Sequence, residues 1–195
     1  MKTATTFLVF ASSLALAVDL PYWIEPRAGG DGELAEWALQ SWERASGGGL
    51  HFVRSSTREA ALVRVLWVTG RDGLYGEMRP INVNGKRGAE LYVRPEMDGL
   101  GPEIEAAARK DRLLRDAIVY LTCLHESGHG LGLPHTGGFD DIMYSFGYGG
   151  DIAEYFGRYR RKLSGRDDIK KHSGMSPGDE QHLQRLFDRP SNKDR

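Results

Sequence analysis

Cysteine is nearly absent from this 195-residue chain: Cys123 is the only one, so no intrachain disulfide can staple the fold. The core must be held by packing, which a single domain of this length can do. A lone thiol in an apolar segment reads as a small hydrophobe on a packed helix. An excess of either charge is also missing. With 26 Lys and Arg against 27 Asp and Glu, the formal net charge is −1, which gives no overall pull toward nucleic acid or an anionic membrane. Long apolar runs are scarce. The one that stands out, Phe7 to Val18, falls short of the roughly 20 residues that cross a bilayer. No repeat, low-complexity tract or linker interrupts the rest, so one domain is expected.

That apolar run has the layout of a targeting signal. Lys2 precedes it, and Ala15-Leu16-Ala17 closes it with small residues where a signal peptidase cuts. The order predicts a secretory signal peptide over 1–17. Residues 18–195 would then form the mature domain, secreted or periplasmic, monomeric, with neither membrane nor nucleic-acid partners.

Periodicity divides that domain. Residues 20–26 read as a strand closed by Pro26, and Leu34, Trp37, Ala38 and Trp42 recur at helical spacing until three glycines at 47–49 stop the helix. Residues 50–56 alternate as a strand, and 61–70, rich in β-branched and aromatic residues, read as a more central one. Asn84-Gly85 between two extended runs predicts a hairpin over 75–95, with Pro80 placing its first strand at a sheet edge. From Arg112 the period becomes helical, and residues 101–111 add either another turn or a separate short helix. A Gly-rich loop to Gly150, an amphipathic segment and a closing helix from Ser176 complete an α+β order. In that last helix, Ser176 can cap, Pro177 suits the first position, and Asp179 favours the first turn.

Three of the six histidines fall within eleven positions, His125-Glu126-Ser127-Gly128-His129-Gly130-Leu131-Gly132-Leu133-Pro134-His135. On a helix, His125 and His129 project from one face, continuing the inner stripe of Leu114, Ile118 and Leu121. Two imidazoles so placed reach one metal ion at about 2.0–2.1 Å. Glu126, turned by about 100° from His125, stands beside the ion, off the ligand axis, and suits a general base. A catalytic zinc takes a third protein ligand and keeps one position open. Gly132 can adopt a left-handed conformation, end the helix and reverse the chain. His135 then swings back as the third ligand, with Glu154 the alternative. By chance alone the five-residue pattern arises roughly once in a hundred sequences of this composition, and with Gly132 and His135 roughly once in twenty thousand.

The full string resembles the long zinc-binding motif of the metzincin metallopeptidases. Met143, eight residues beyond His135 in Asp141-Ile142-Met143-Tyr144-Ser145, stands where that clan has its Met-turn, a methionine beneath the metal. The spacing, and a closing segment over 176–187, are most similar to the matrixin (matrix-metalloproteinase-like) branch. The resemblance covers most of 18–195 by element order and is motif-specific over 125–143. It implies a metzincin-like zincin fold: a twisted, mostly parallel sheet with an antiparallel edge strand and three main helices. An extra helical segment would follow the Met-turn in this chain. It also implies one catalytic Zn2+ and an edge strand near 75–93 that pairs with an extended substrate.

The departures are specific. Matrixins commonly carry a pro-segment cysteine that blocks the zinc, whereas Cys123 lies inside the helix. No histidine lies between His51 and His125, so the second, structural zinc of matrixins is not expected. Scattered aspartates such as Asp98, Asp140 and Asp141 spell no calcium loop, which leaves structural Ca2+ open. Ser145 stands where some metzincins have a tyrosine ligand, with Tyr144 and Tyr148 nearby.

Taken together, these residues imply a secreted zinc-dependent endopeptidase acting on peptide or protein substrates. Zinc held by His125, His129 and His135 would activate a water, with Glu126 as general base. Two alternatives use the same residues: a zinc amidase acting on cell-wall peptides, and a zinc-containing module that binds peptides without cutting them. Glu126 speaks against the second, since binding alone needs no base. Segment 150–174, with Tyr155, Phe156, Arg158, Tyr159, Arg160, Arg161 and Lys162, forms either a wall of the pocket after the scissile bond or an amphipathic helix with a solvated basic face.

Overall fold

A computed structural model describes residues 17–69 and 75–187. The signal-peptide expectation over 1–17 therefore lies, Ala17 apart, outside the described residues. No described helix is long and apolar enough to cross a membrane.

Five strands form one sheet: β1 (Val18–Ile24), β2 (Leu50–Arg54), β3 (Val63–Trp67), β4 (Gly76–Val83) and β5 (Lys86–Val93). Their spatial order is β2-β1-β3-β5-β4. Every neighbouring pair runs parallel except β4 with β5. The apolar run of β3 lies in the middle of the sheet, as its β-branched composition predicts. The hairpin turns at Asn84 (φ 53°) and Gly85 (φ 81°), the left-handed pair that a two-residue turn between twisted strands requires. Pro80, which has no N–H for a ladder, sits in β4 at the end of the sheet.

Five helices accompany the sheet among the described residues: α1 (Asp31–Ala45), α2 (Pro102–Lys110), α3 (Arg112–Leu131), α4 (Ile152–Arg160) and α5 (Pro177–Phe187). This is one more than three main helices and one extra segment, because residues 101–111 form a separate helix. Asp111 makes the break. It is extended (φ −124°), and its carboxylate accepts from the N–H groups of Leu113 and Leu114 at 3.0 and 3.1 Å. Those bonds cap α3 and leave no helical path from α2.

Helices α1 and α3 pack together and bury Leu34, Trp42, Ile118 and Leu124 with Val65 and Leu91 of the sheet. Trp42 Nε1 donates to the Leu124 carbonyl (2.9 Å) and to Ser127 Oγ (3.0 Å). Its indole thus fixes the height of α3 within the turn that carries His125. At the other end of α3, buried Asp31 and Asp116 are held by Arg115, with Arg27 and Arg166 joining from outside. Apolar packing and paired charge pin both ends of the helix.

Candidate metal centre

Helix α3 carries His125 and His129, one turn apart on the face that looks along the free edge of β4. The helix stops at Gly132, whose φ of 103° is left-handed, and whose N–H returns to the His129 carbonyl at 2.9 Å. The chain turns as the glycine spacing predicts. Beyond it, the Thr136 N–H donates to the Met143 carbonyl (2.8 Å) and the Ser145 N–H to the Thr136 carbonyl (3.2 Å). These bonds tie the segment after His135 to the loop around Met143 and hold the third ring against the first two.

The result is a triad of ring nitrogens. His135 Nε2 lies 3.2 Å from His125 Nε2 and 3.1 Å from His129 Nε2. The other nitrogens of the helical pair face backbone carbonyls, His125 Nδ1 that of Ile142 at 2.6 Å and His129 Nδ1 that of Leu133 at 2.8 Å. A carbonyl accepts, so each Nδ1 carries the proton and each of those Nε2 atoms presents a lone pair. His135 can donate one proton at most from its Nε2, which leaves one contact lone pair against lone pair. A shared cation removes the conflict. Three nitrogens at 2.0–2.1 Å from a tetrahedral ion stand about 3.3 Å apart, within a few tenths of the observed spacing. Burial, with His129 and His135 as neighbours, holds the His125 imidazolium down to about 4, and burial lowers His135 as well. Both rings are neutral at pH 7, the form that ligates. The donor set fits a divalent ion of zinc's kind.

Glu126 is buried on the same helix but borders the same cavity. Burial first, and the Glu77 charge second, push its carboxyl up to about 7, with the Met78 amide pulling the other way. Gly76, at the start of β4, makes room for it: a Cβ there would lie 2.5 Å from Glu126 Oε1 and 2.7 Å from Thr122 Cγ2. Met143 is fully buried. A Cβ on Gly128 would lie 2.5 Å from Met143 Sδ and 2.9 Å from Trp42 Cζ2. Glycine at 128 therefore lets Met143 and Trp42 meet the backbone of α3 between the two helical histidines. The three histidines and Glu126 thus border one cavity, Met143 packs against Gly128 between two of them, and Gly128 in the motif and Gly76 in β4 each have a packing reason.

One residue was legible only in half of its role. Ser176 and Asp179 form a reciprocal cap on α5: the Ser176 N–H donates to Asp179 Oδ2 (2.8 Å), and the Asp179 N–H to Ser176 Oγ (3.1 Å). The same fully buried carboxylate also accepts from the N–H groups of Ile142 (2.8 Å) and Met143 (3.3 Å). Asp179 thus holds the peptide whose carbonyl orients His125. Tyr155 OH reaches the same place, 3.1 Å from the Asp141 carbonyl and 3.3 Å from that of Ile142.

Helix α4 carries its aromatic and its basic residues on separate faces. Tyr155, Phe156 and Tyr159 are buried. Arg158 and Arg161 bond Asp140 (2.6 Å) and Glu154 (2.5 Å), and Arg160 bonds Asp111 (2.7 Å). Glu154 is engaged by Arg161 on the outside and does not join the triad. Ser145 Oγ accepts from the Gly147 N–H (3.2 Å), and Tyr144 OH donates to the Gly149 carbonyl (2.9 Å). Neither takes a ligand position. Between the triad and α4 lies a cavity of about 440 Å3, walled by Leu121, Tyr144, Phe146, Ile152, Tyr155 and Phe156. Within it, apolar walls lead to the carboxyls of Glu77 and Glu126 and to three imidazoles.

No family model and no curated protein matches the chain.

Proposed function

We propose that the chain is a zinc-dependent endopeptidase of metzincin type, with the matrixin branch its nearest likeness. The convergence of His125, His129 and His135 on one point, with Glu126 beside them and an open strand edge alongside, carries this reading. The three Nε2 atoms hold the ion. When bound, zinc supplies Lewis acidity at the scissile carbonyl and at the attacking water.

The chain's own residues do the rest. Glu126, with its carboxyl raised into the neutral range, takes a proton from the attacking water and returns it to the leaving amine. The carbonyls of Ile142 and Leu133 fix the ring orientation of His125 and His129. The apolar cavity excludes water from one side of the bond and accepts a large apolar side chain. Gly76, Glu77 and Met78, which border both the cavity and the free edge of β4, align the peptide backbone. With residues 1–17 read as a signal peptide, the enzyme acts outside the cytoplasm.

The test is Glu126→Ala. Purified variant should bind one zinc per chain, as the parent does, yet cut a proteome-derived peptide library at least 10^2-fold more slowly, the least that loss of a positioned base costs. Parent-like cleavage by this variant would remove Glu126 from the chemistry.

A further inference from the structure

The free edge of β4 is not uniform. In β5, the Ala89 N–H donates to Leu62 (2.7 Å) and the Val93 carbonyl accepts from Val68 (3.0 Å), so both residues turn their backbone groups toward β3. Their partners across the hairpin are Pro80 and Gly76. With Met78 and Asn82 in the same alternation, these residues turn their own backbone groups outward. At the cavity end, Gly76 and Met78 turn both N–H and C=O outward, the Met78 N–H shared with the Glu126 carboxyl. Four residues along from Gly76 the pattern breaks, because Pro80 has no N–H to offer.

We propose that Pro80 interrupts the backbone ladder of the bound peptide, so that the enzyme reads only the few residues next to the cut bond. The inference rests on the peptidase reading given above. β4 runs away from the cavity toward the Asn84-Gly85 turn. A peptide added antiparallel therefore places the residues before its scissile bond along Met78, Pro80 and Asn82. The residue opposite Met78 can exchange two hydrogen bonds with it. The residue opposite Pro80 can give its N–H to the Pro80 carbonyl, while its own carbonyl finds no donor. The occupant of this edge is the substrate backbone itself, because the edge continues directly into the cavity that holds Glu126 and the triad. Pro80 is exposed, and its nitrogen lies in a pair without ladder bonds. Replacing it by alanine therefore removes no ladder hydrogen bond.

Capped random-sequence peptide pools of six to twelve residues test this with zinc-loaded full chain, parent against Pro80→Ala. In the parent, cutting efficiency should level off once about five residues precede the bond, enough to run from Gly76 to Pro80 with every second one opposite Gly76, Met78 and Pro80. In the variant it should keep rising, by about five-fold for longer segments, the worth of one net hydrogen bond. Superimposable length profiles for the two proteins would overturn the proposal, as would a parent whose efficiency climbs steadily with length. If no pool is cut at all, the peptidase reading falls. The edge is then judged by NMR amide exchange with the twelve-residue pool: protection at Met78 but not Asn82 supports the interruption, and any other pattern overturns it.

Discussion

Gly128 shows how much one missing methyl decides. Burying a glycine mid-helix sacrifices about 0.5–1 kcal/mol relative to alanine, yet here it admits Met143 and Trp42 to the helix backbone. Gly128→Ala should therefore destabilise the fold by about 1–3 kcal/mol through overpacking, and weaken zinc binding by shifting the histidines on either side. Gly130 is the built-in comparison, since a Cβ there would meet Ala89 Cβ at 3.1 Å and Leu91 Cδ2 at 3.6 Å, and nothing closer. Its alanine variant should unfold in urea closer to the parent. Equal losses in the two variants would deny Met143 and Trp42 their packing role. The sequence made His125, His129 and Glu126 legible because their offsets follow from helix geometry, and His135 because Gly132 ends the helix and turns the chain before it. The tasks of Gly128 and Gly76 were not legible, because each depends on an atom arriving from a distant segment.

At the scale of an element, α3 joins two titrations of opposite sign. His125 has a folded pKa of about 4, below its unfolded value, so the unfolded chain binds more protons between about pH 6.5 and 4. That contribution is full above pH 6.5 and is lost on acidification. Glu126 is raised to about 7, so the folded chain binds more protons between about pH 4.5 and 7. Its contribution is full at low pH and is lost as pH rises through 7. In metal-free protein the two slopes oppose each other between about pH 4.5 and 6.5. Glu126→Gln should expose the histidine slope alone, so that urea stability climbs by on the order of 2 kcal/mol across that window. A variant as flat as the parent would contradict the burial of one or both groups.

Elements differed in how openly the sequence declared them. The hairpin was legible down to its turn residues, since Asn84-Gly85 and Pro80 each have few places to go. The break between α2 and α3 was not, because it depends on Asp111 capping one helix while ending another. Segment 150–174 offered two readings because an amphipathic helix satisfies both at once, with aromatics toward the cavity and arginines on acids.

For the whole molecule, α3 and the loop from Leu133 to Ser145 are separate parts that the triad joins. Asp179 fastens α5 to that loop, a link between residues 36 and 37 positions apart that no local pattern records. An ion bound only by the assembled triad stabilises the native state, by roughly 4 kcal/mol at a thousand-fold excess over its dissociation constant. Zinc should therefore raise Tm, and a chelator should lower it reversibly. His135→Ala should lose most of that zinc-dependent shift while keeping the metal-free Tm near the parent's, because His135 is exposed. A full zinc shift in that variant would point to a different third ligand.

The most direct measurement is zinc-edge X-ray absorption on purified, zinc-loaded chain. Three imidazole nitrogens at about 2.0–2.1 Å, with a fourth neighbour that is an oxygen from solvent, is the expected result. Failure to retain zinc, or a shell closed by four protein ligands, would contradict the account.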